Sequence, residues 1–302
     1  MDDKKLKLII QKVRDEEIQG HATRKAIYQK LRVKLGRPVV SFFTSFRYPV
    51  MIQDDDADML EGVLQKTDLS DGLALFISSP GGDGLSAERI VNICRSYSGT
   101  GEFWVIVPGK AKSAATMVCF GASKIIMGAS SELGPIDPQH TIIAEGKVPS
   151  RFSVYNIVKS YEDLFKRAVE LKDGRLEPFL QQLANYDERE IQEFRSALSL
   201  AEDIAVRTLE SEMMKSLSKE QIREKIKIFL TPEQTKTHGR PIYKDEASGC
   251  GLNIEAINIR DELWETIYEL YVRINNFVKS QASKCVESEN HSFIAAPPIP
   301  GR

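Results

Sequence analysis

The sequence predicts an α/β fold in which a largely parallel sheet is covered by helices. Between residues 71 and 143, short apolar runs alternate with segments of helical periodicity, as in parallel strands joined by helical crossovers. Residues 73–78 and 103–108 are continuously apolar up to their last positions, which is typical of strands buried on both faces. Together the alternation and the unbroken apolar runs favour a sheet with helices on both sides.

The remaining elements follow from local composition. Residues 39–46 are rich in β-branched and aromatic side chains and predict the first strand. The acids of residues 54–58 precede apolar residues at helical spacing, which is typical of a helix start. Helices are predicted over 85–97 and 113–120, a short strand over 124–127, and mostly helices after about residue 150.

Composition also divides the chain into a core domain and helical additions. Residues 1–36 predict a charged helical N-terminal arm, and residues 37–254 the main domain with a helical insertion at about 165–228. A long amphipathic helix is predicted over 255–286. The proline-rich residues 287–302 are predicted to form a disordered tail.

Charge and composition exclude several classes of function. The net charge of −2 and the isoelectric point near 6.2 provide no electrostatic basis for binding nucleic acid. The N-terminus lacks the apolar stretch of a secretory signal, and no run reaches the roughly 18 apolar residues of a membrane span. The four cysteines show no metal-binding spacing. We therefore expect a cytoplasmic protein with reduced cysteines, no metal and no organic cofactor.

Two segments at the ends of successive predicted strands have the composition of a catalytic site. The turn at residues 79–84 contains Gly81 and Gly82, whose backbone can bend sharply and direct amides outward toward an anion. Ser113 begins the helix after the next strand, ahead of the small residue Ala114. A serine there is either an ordinary helix cap or a nucleophile, since the helix N-terminus favours negative charge. Spacing alone leaves both interpretations open.

Taken together, these segments resemble the Clp-protease/crotonase superfamily, and within it the serine dehydrogenase proteinases, soluble relatives of signal peptide peptidase A. The resemblance is good over about residues 70–160 and extends to 38–70 and 228–260. It implies a ββα superhelix, peptide-bond hydrolysis through an acyl-enzyme on Ser113, a peptide or protein substrate, and a homo-oligomer. ATP is not implied, because the sequence has no P-loop.

The resemblance also implies roles for individual residues near Ser113. The amides of Gly81, Gly82 and Ala114 would form the oxyanion hole. In the Clp subunit, the loop facing the serine carries the catalytic histidine. Here the matching residues 136–139 contain no histidine.

Because residues 136–139 contain no histidine, the general base is expected elsewhere in the chain. In signal peptide peptidase and its relatives the base is a lysine on a helix downstream of the serine, and Lys159 resembles that arrangement. A lysine acts as a base only when it is neutral, which requires burial. We predict a Ser–Lys dyad with Lys159, with Lys166 as the other lysine and Asp137 and His140 as secondary candidates. His238, which precedes a glycine in a predicted turn, is interpreted as structural.

Two other functions are compatible with the same fold. A crotonase-like enzyme would act on acyl thioesters with the same oxyanion hole and would not need Ser113. A scaffold protein would have kept the fold and lost catalysis, an alternative favoured by the absence of the histidine.

Overall fold

The computed structural model describes residues 8–15, 20–47, 50–142, 150–172 and 174–296. The described helices are, in chain order, α1 (Ile9–Asp15), α2 (Ala22–Leu35), α3 (Asp54–Leu64), α4 (Gly84–Tyr97), α5 (Ala114–Phe120), α6 (Val154–Val169), α7 (Glu177–Leu183), α8 (Glu188–Glu210), α9 (Lys219–Lys225), α10 (Lys227–Leu230), α11 (Pro232–Thr235), α12 (Lys244–Gly249) and α13 (Glu262–Ser280). The described strands are β1 (Val39–Thr44), β2 (Leu73–Ser78), β3 (Phe103–Val107), β4 (Lys110–Ala111), β5 (Lys124–Met127), β6 (Glu132–Leu133), β7 (Gln139–Ile142), β8 (Ser150–Ser153), β9 (Ile242–Tyr243), β10 (Ile254–Ala256), β11 (Lys284–Glu287) and β12 (Ser292–Ala295).

A central mixed sheet organises the described part of the chain, with the strand order β10-β5-β3-β2-β1-β11-β12. From β10 to β1 neighbouring strands are parallel. In contrast, β11 pairs antiparallel with β1, and β12 pairs antiparallel with β11. The predicted α/β class is thereby confirmed, whereas the ββα superhelix stays a prediction.

The central strands are buried on both faces because helices cover both sides of the sheet. In β2, Leu73, Leu75 and Ile77 pack into a core that includes residues of α3, α4, α5 and α8. Ala74 and Phe76 point the other way, into a second core built with α2 and α13. Successive side chains of a strand point to opposite faces of the sheet. When helices cover both faces, apolar residues therefore follow one another without a break. This is why the unbroken apolar runs predicted these strands.

The C-terminal region corrects two sequence predictions. The helix predicted over 255–286 is shorter, since α13 spans only Glu262–Ser280 and follows the sheet strand β10. Residues 284–287 and 292–295 form strands β11 and β12, so the predicted disorder from residue 287 is wrong for this part of the tail. These strands form because β1 offers a ladder partner that is distant in sequence. The end of the predicted tail, residues 297–302, lies outside the described residues.

The N-terminal helix α2 packs against α13 and the C-terminal strands. Tyr28 and Leu31 of α2 are fully buried in the second core. Arg24 donates hydrogen bonds to Glu287 of β11 from Nε at 2.7 Å and from Nη2 at 2.5 Å. Nε2 of His21 lies 2.8 Å from the Ser288 carbonyl oxygen. The two ends of the described chain therefore form one packed unit, while residues 1–7 of the predicted arm lie outside the described residues.

Within the described ranges, no helix combines the length and the apolar character needed to cross a lipid bilayer.

Candidate active site

The candidate site lies where the parallel strands β2 and β3 end. Loops that leave adjacent parallel strands converge at the carboxyl edge of the sheet, where α/β proteins commonly bind ligands. The turn after β2 contains Gly81 and Gly82, and the segment after β3 leads to Ser113 at the start of α5. The Lys112 amide donates to the Ser79 carbonyl oxygen at 3.0 Å. This bond joins the two segments directly beside Ser113.

Ser113 has a strained backbone. Its φ of 50° and ψ of −120° lie in a region that residues with a Cβ rarely adopt. Such a conformation costs of the order of 1–3 kcal/mol and is found preferentially at functional sites. A comparable sharp turn between strand and helix presents the nucleophile of α/β-hydrolases. Within the described residues the Ser113 hydroxyl makes no capping hydrogen bond to α5, so the cap interpretation is wrong.

Gly81 packs directly against the turn at Ser113. A Cβ added to Gly81 would lie 2.5 Å from the Lys112 carbonyl oxygen and 2.6 Å from the Ser113 Cβ. The Gly81 φ of 98° is a second reason why only glycine fits at this position. The absence of a side chain at Gly81 therefore permits the conformation of Ser113.

Gly81→Ala is expected to slow acylation of Ser113 by about 10²-fold, since displacing a reacting group by about 1 Å has effects of that size. The rate of covalent labelling by a serine-reactive fluorophosphonate measures it, and near-UV circular dichroism reports whether the fold is kept. Gly101→Ala is the matched control, because Gly101 also has a positive φ, 73°, but open space within 4 Å of an added Cβ. Equal labelling rates for the two variants would contradict the role of Gly81.

Two backbone amides near Ser113 are available to an oxyanion. Ala114 is the first residue of α5, so its amide has no acceptor within the helix. Among the described residues the Gly82 amide likewise has no acceptor. In contrast, the Gly81 amide donates to the Ser79 Oγ at 3.1 Å. Of the three amides predicted from sequence, those of Gly82 and Ala114 are therefore the better donors.

A cavity of about 660 Å³ opens at Ser113. Gly82 and Ser113 lie in its wall, together with His238 from the turn that follows α11. This turn lies far along the chain, and the sequence analysis interpreted its histidine as structural. The fold thus adds an ionisable imidazole to the cavity that contains Ser113.

His238 is held by a buried carboxylate. Its Nδ1 lies 2.8 Å from Oδ1 of Asp137, whose side chain is fully inaccessible to solvent. Oδ2 of Asp137 also accepts from the Ser153 Oγ at 2.7 Å and from Nε2 of Gln139 at 2.8 Å. A carboxylate can only accept, so the Nδ1–H of His238 donates and its Nε2 is left as the acceptor. This is the tautomer that a histidine general base requires.

Comparison with known proteins agrees with this geometry. Residues 25–173 match the sequence model of the ClpP-like SDH-type serine proteinases. This part of the chain belongs to that family. The match confirms the family suspected from sequence. The matched segment includes Ser113 and Asp137 and ends before His238.

Two uncharacterized relatives match different shares of this chain. This chain is 29% identical over 236 residues to an uncharacterized protein of Methanocaldococcus jannaschii. The aligned residues make up 78% of this chain and 68% of that protein. A second uncharacterized protein of the same organism is 28% identical over 105 residues, or 35% of this chain and 32% of that protein.

The structure does not bring Lys159 to the cavity at Ser113. Lys159 lies on α6 in a separate surface cleft, and its side chain is 51% exposed. Its Nζ lies 3.5 Å from Oε1 of Glu233, the residue to which Tyr155 also donates a hydrogen bond at 2.5 Å. An amine this exposed lacks the burial that would make it a base. Lys166, the other lysine on this helix, is 70% exposed.

His140 also points away from the nucleophile. Its neighbours on β7, Gln139 and Thr141, line the cavity. Alternate residues of a strand face opposite sides, so the His140 ring lies on the other face. There it packs edge-on against Phe194, with ring centroids 5.1 Å apart.

Lys112 is a cavity residue with a structural partner. Burial lowers the pKa of its ammonium, and the hydrogen bond to Glu132 acts in the opposite direction. Nζ donates to Oε2 of Glu132 at 3.0 Å and to the Leu133 carbonyl oxygen at 3.0 Å. These contacts turn the Lys112 amine toward β6. Within the described residues, Lys112 therefore links the segment before Ser113 to β6, and its amine makes no hydrogen bond to Ser113.

Proposed function

We propose that this protein is a serine peptidase that hydrolyses peptide bonds through an acyl-enzyme on Ser113, without ATP. The family of residues 25–173 supports a serine proteinase. The observation that carries the proposal is a single cavity lined by the strained Ser113 and by His238, itself hydrogen-bonded to the buried Asp137. We assign His238 as the general base in place of the lysine predicted from sequence.

The proposed reaction begins with proton transfer from the Ser113 hydroxyl to Nε2 of His238 while Oγ attacks the scissile carbonyl carbon. Asp137 holds the imidazole and stabilises the imidazolium that forms. The amides of Gly82 and Ala114 bind the negative oxygen of the tetrahedral intermediate.

Collapse of this intermediate breaks the C–N bond, and the imidazolium gives its proton to the leaving amine. Water then attacks the acyl-enzyme, with His238 accepting the water's proton and returning it to the Ser113 oxygen as the peptide carboxylate leaves. The cycle restores the neutral imidazole and the free hydroxyl. It requires no group beyond those of the chain and one water molecule.

A Ser113–Lys159 dyad is the competing assignment of the base. It would require Lys159 to leave Glu233 and enter the cavity, because a base must come within hydrogen-bonding distance of the hydroxyl. On the family resemblance alone, we also propose a homo-oligomer. The cytoplasmic location expected from sequence stays a prediction.

The proposal is tested by labelling the protein with a fluorophosphonate, which phosphonylates activated serines. We expect one modified residue, Ser113, in the peptide map of the labelled protein. Labelling should disappear in Ser113→Ala and persist in Ser160→Ala, a matched control at an exposed serine of α6.

The same preparation separates the rival functions. A crotonase-like enzyme would keep its acyl-thioester activity in Ser113→Ala, and a scaffold would not be labelled at all. Labelling that persists in Ser113→Ala would overturn the proposal, as would the absence of any labelling of the wild-type protein.

A further inference from the structure

One wall of the Ser113 cavity is formed by α8, which lies outside the segment that matches the family model. Ala197, Leu200, Ala201 and Ile204 of this helix all line the cavity. Their spacing of three and four residues places them on one helix face. The cavity wall formed by α8 is therefore entirely apolar.

The floor beneath the nucleophile is apolar as well. Met117 follows Ser113 by one helical turn, and its amide donates to the Ser113 carbonyl oxygen at 3.1 Å. Met117 and Ile204 are almost fully buried, with 4% and 1% of their surfaces exposed. Both approach Gly84, since a Cβ added there would lie 3.5 Å from Cε of Met117 and 3.9 Å from Cδ1 of Ile204. The floor and the α8 wall thus form one continuous apolar surface beside Ser113.

Two small residues leave room at this surface. Ala197 and Ala201 lie one turn apart on α8, and each contributes only a methyl group to the wall. Both are partly exposed, so the space in front of them is open. Leu200, at 43% exposure, lies between them at the rim.

We propose that α8 determines the substrate preference of this peptidase, and that Ala197 and Ala201 make room for a large apolar side chain, such as leucine, methionine or phenylalanine. This side chain belongs to the residue whose carbonyl carbon Ser113 attacks. The inference rests on the proposed function. Burial of the side chain against the α8 wall and Met117 supplies the binding free energy, and the alanines supply the volume.

The test compares kcat/KM for internally quenched peptides that differ only in this residue: leucine, phenylalanine, alanine, glycine or aspartate. Wild-type protein is expected to prefer leucine or phenylalanine over alanine by about 10–200-fold, the range that apolar pockets achieve. In Ala201→Leu the preference for phenylalanine over alanine should fall at least tenfold. Ser196→Leu, on an exposed position of the same helix, should leave the preference unchanged.

A small fluorophosphonate without a side chain keeps this test separate from that of the proposed function. It should label wild type and Ser196→Leu at similar rates, and labelling of Ala201→Leu shows that the nucleophile of that variant is intact. Ala197→Leu serves as the second variant if Ala201→Leu loses labelling. A labelled protein that prefers aspartate or glycine, cleaves none of the peptides, or has an unaltered preference in the intact variant would overturn the inference.

Discussion

His238→Ala is expected to lower kcat for peptide hydrolysis by about 10⁴–10⁶-fold, the effect that removal of a triad residue has in other serine hydrolases. The physical reason is that the Ser113 hydroxyl would lose the group that accepts its proton in the transition state. Binding of the peptide does not depend on that proton transfer, so KM should change far less than kcat. Steady-state kinetics on one quenched peptide measures both.

Two further variants show which base operates. Asp137→Asn should reproduce most of the loss, because an amide in place of the buried carboxylate cannot hold the productive tautomer or stabilise an imidazolium. Lys159→Ala should stay within about threefold of wild type, since an exposed ion pair contributes little. The reverse pattern, with activity lost in Lys159→Ala and kept in His238→Ala, would establish the lysine dyad instead.

Glu287→Ala is expected to destabilise the protein by about 3–5 kcal/mol. Glu287 and Arg24 are both fully inaccessible to solvent, and Glu287 also accepts from the Ser292 Oγ at 2.8 Å. Removing the carboxylate takes two hydrogen bonds and an ion pair from the buried Arg24 guanidinium. Truncating one partner of a buried pair costs more than the modest net stabilisation of an intact pair. Urea denaturation followed by far-UV circular dichroism gives the change in the free energy of unfolding.

The control for Glu287 is an ion pair at the surface, which also joins α2 to the C-terminal part of the chain. Lys34 pairs with Glu262 at 3.1 Å, and the Glu262 side chain is 87% exposed. Glu262→Ala should therefore change the free energy of unfolding by less than about 1 kcal/mol. If both variants lose similar amounts, burial of the Arg24–Glu287 pair is not what makes it important.

Much of the fold was predictable because a buried strand requires apolar residues in its own short segment of sequence. Residues 73–77 are apolar because helices cover both faces of β2, and the acids that precede Met59 mark a helix start that the structure confirms. The segment at Ser113 was predictable for a related reason. A turn that bends as sharply as this one requires glycines in the facing segment, and Gly81 and Gly82 are visible in the sequence.

The proposed base was not predictable in this way. His238 and Asp137 are 101 residues apart, and neither has a local sequence context that distinguishes it from a turn residue. Lys159 lies at the expected distance in sequence from Ser113, but sequence spacing does not determine burial. In the structure the Lys159 side chain is half exposed and lies beside Glu233. The one available signal for His238 was its turn, which lay within the weaker part of the family resemblance.

The amino-acid sequence by itself determined the α/β class, the turn of Gly81 and Gly82, and Ser113 as the candidate nucleophile. These depend on apolar runs and on backbone preferences, which act between residues close in the chain. Only the tertiary structure decided the position of His238 opposite Asp137, the α8 wall, and the pairing of β11 with β1. Each of these joins segments that are far apart in sequence, and it is folding that brings them together and removes water from between them.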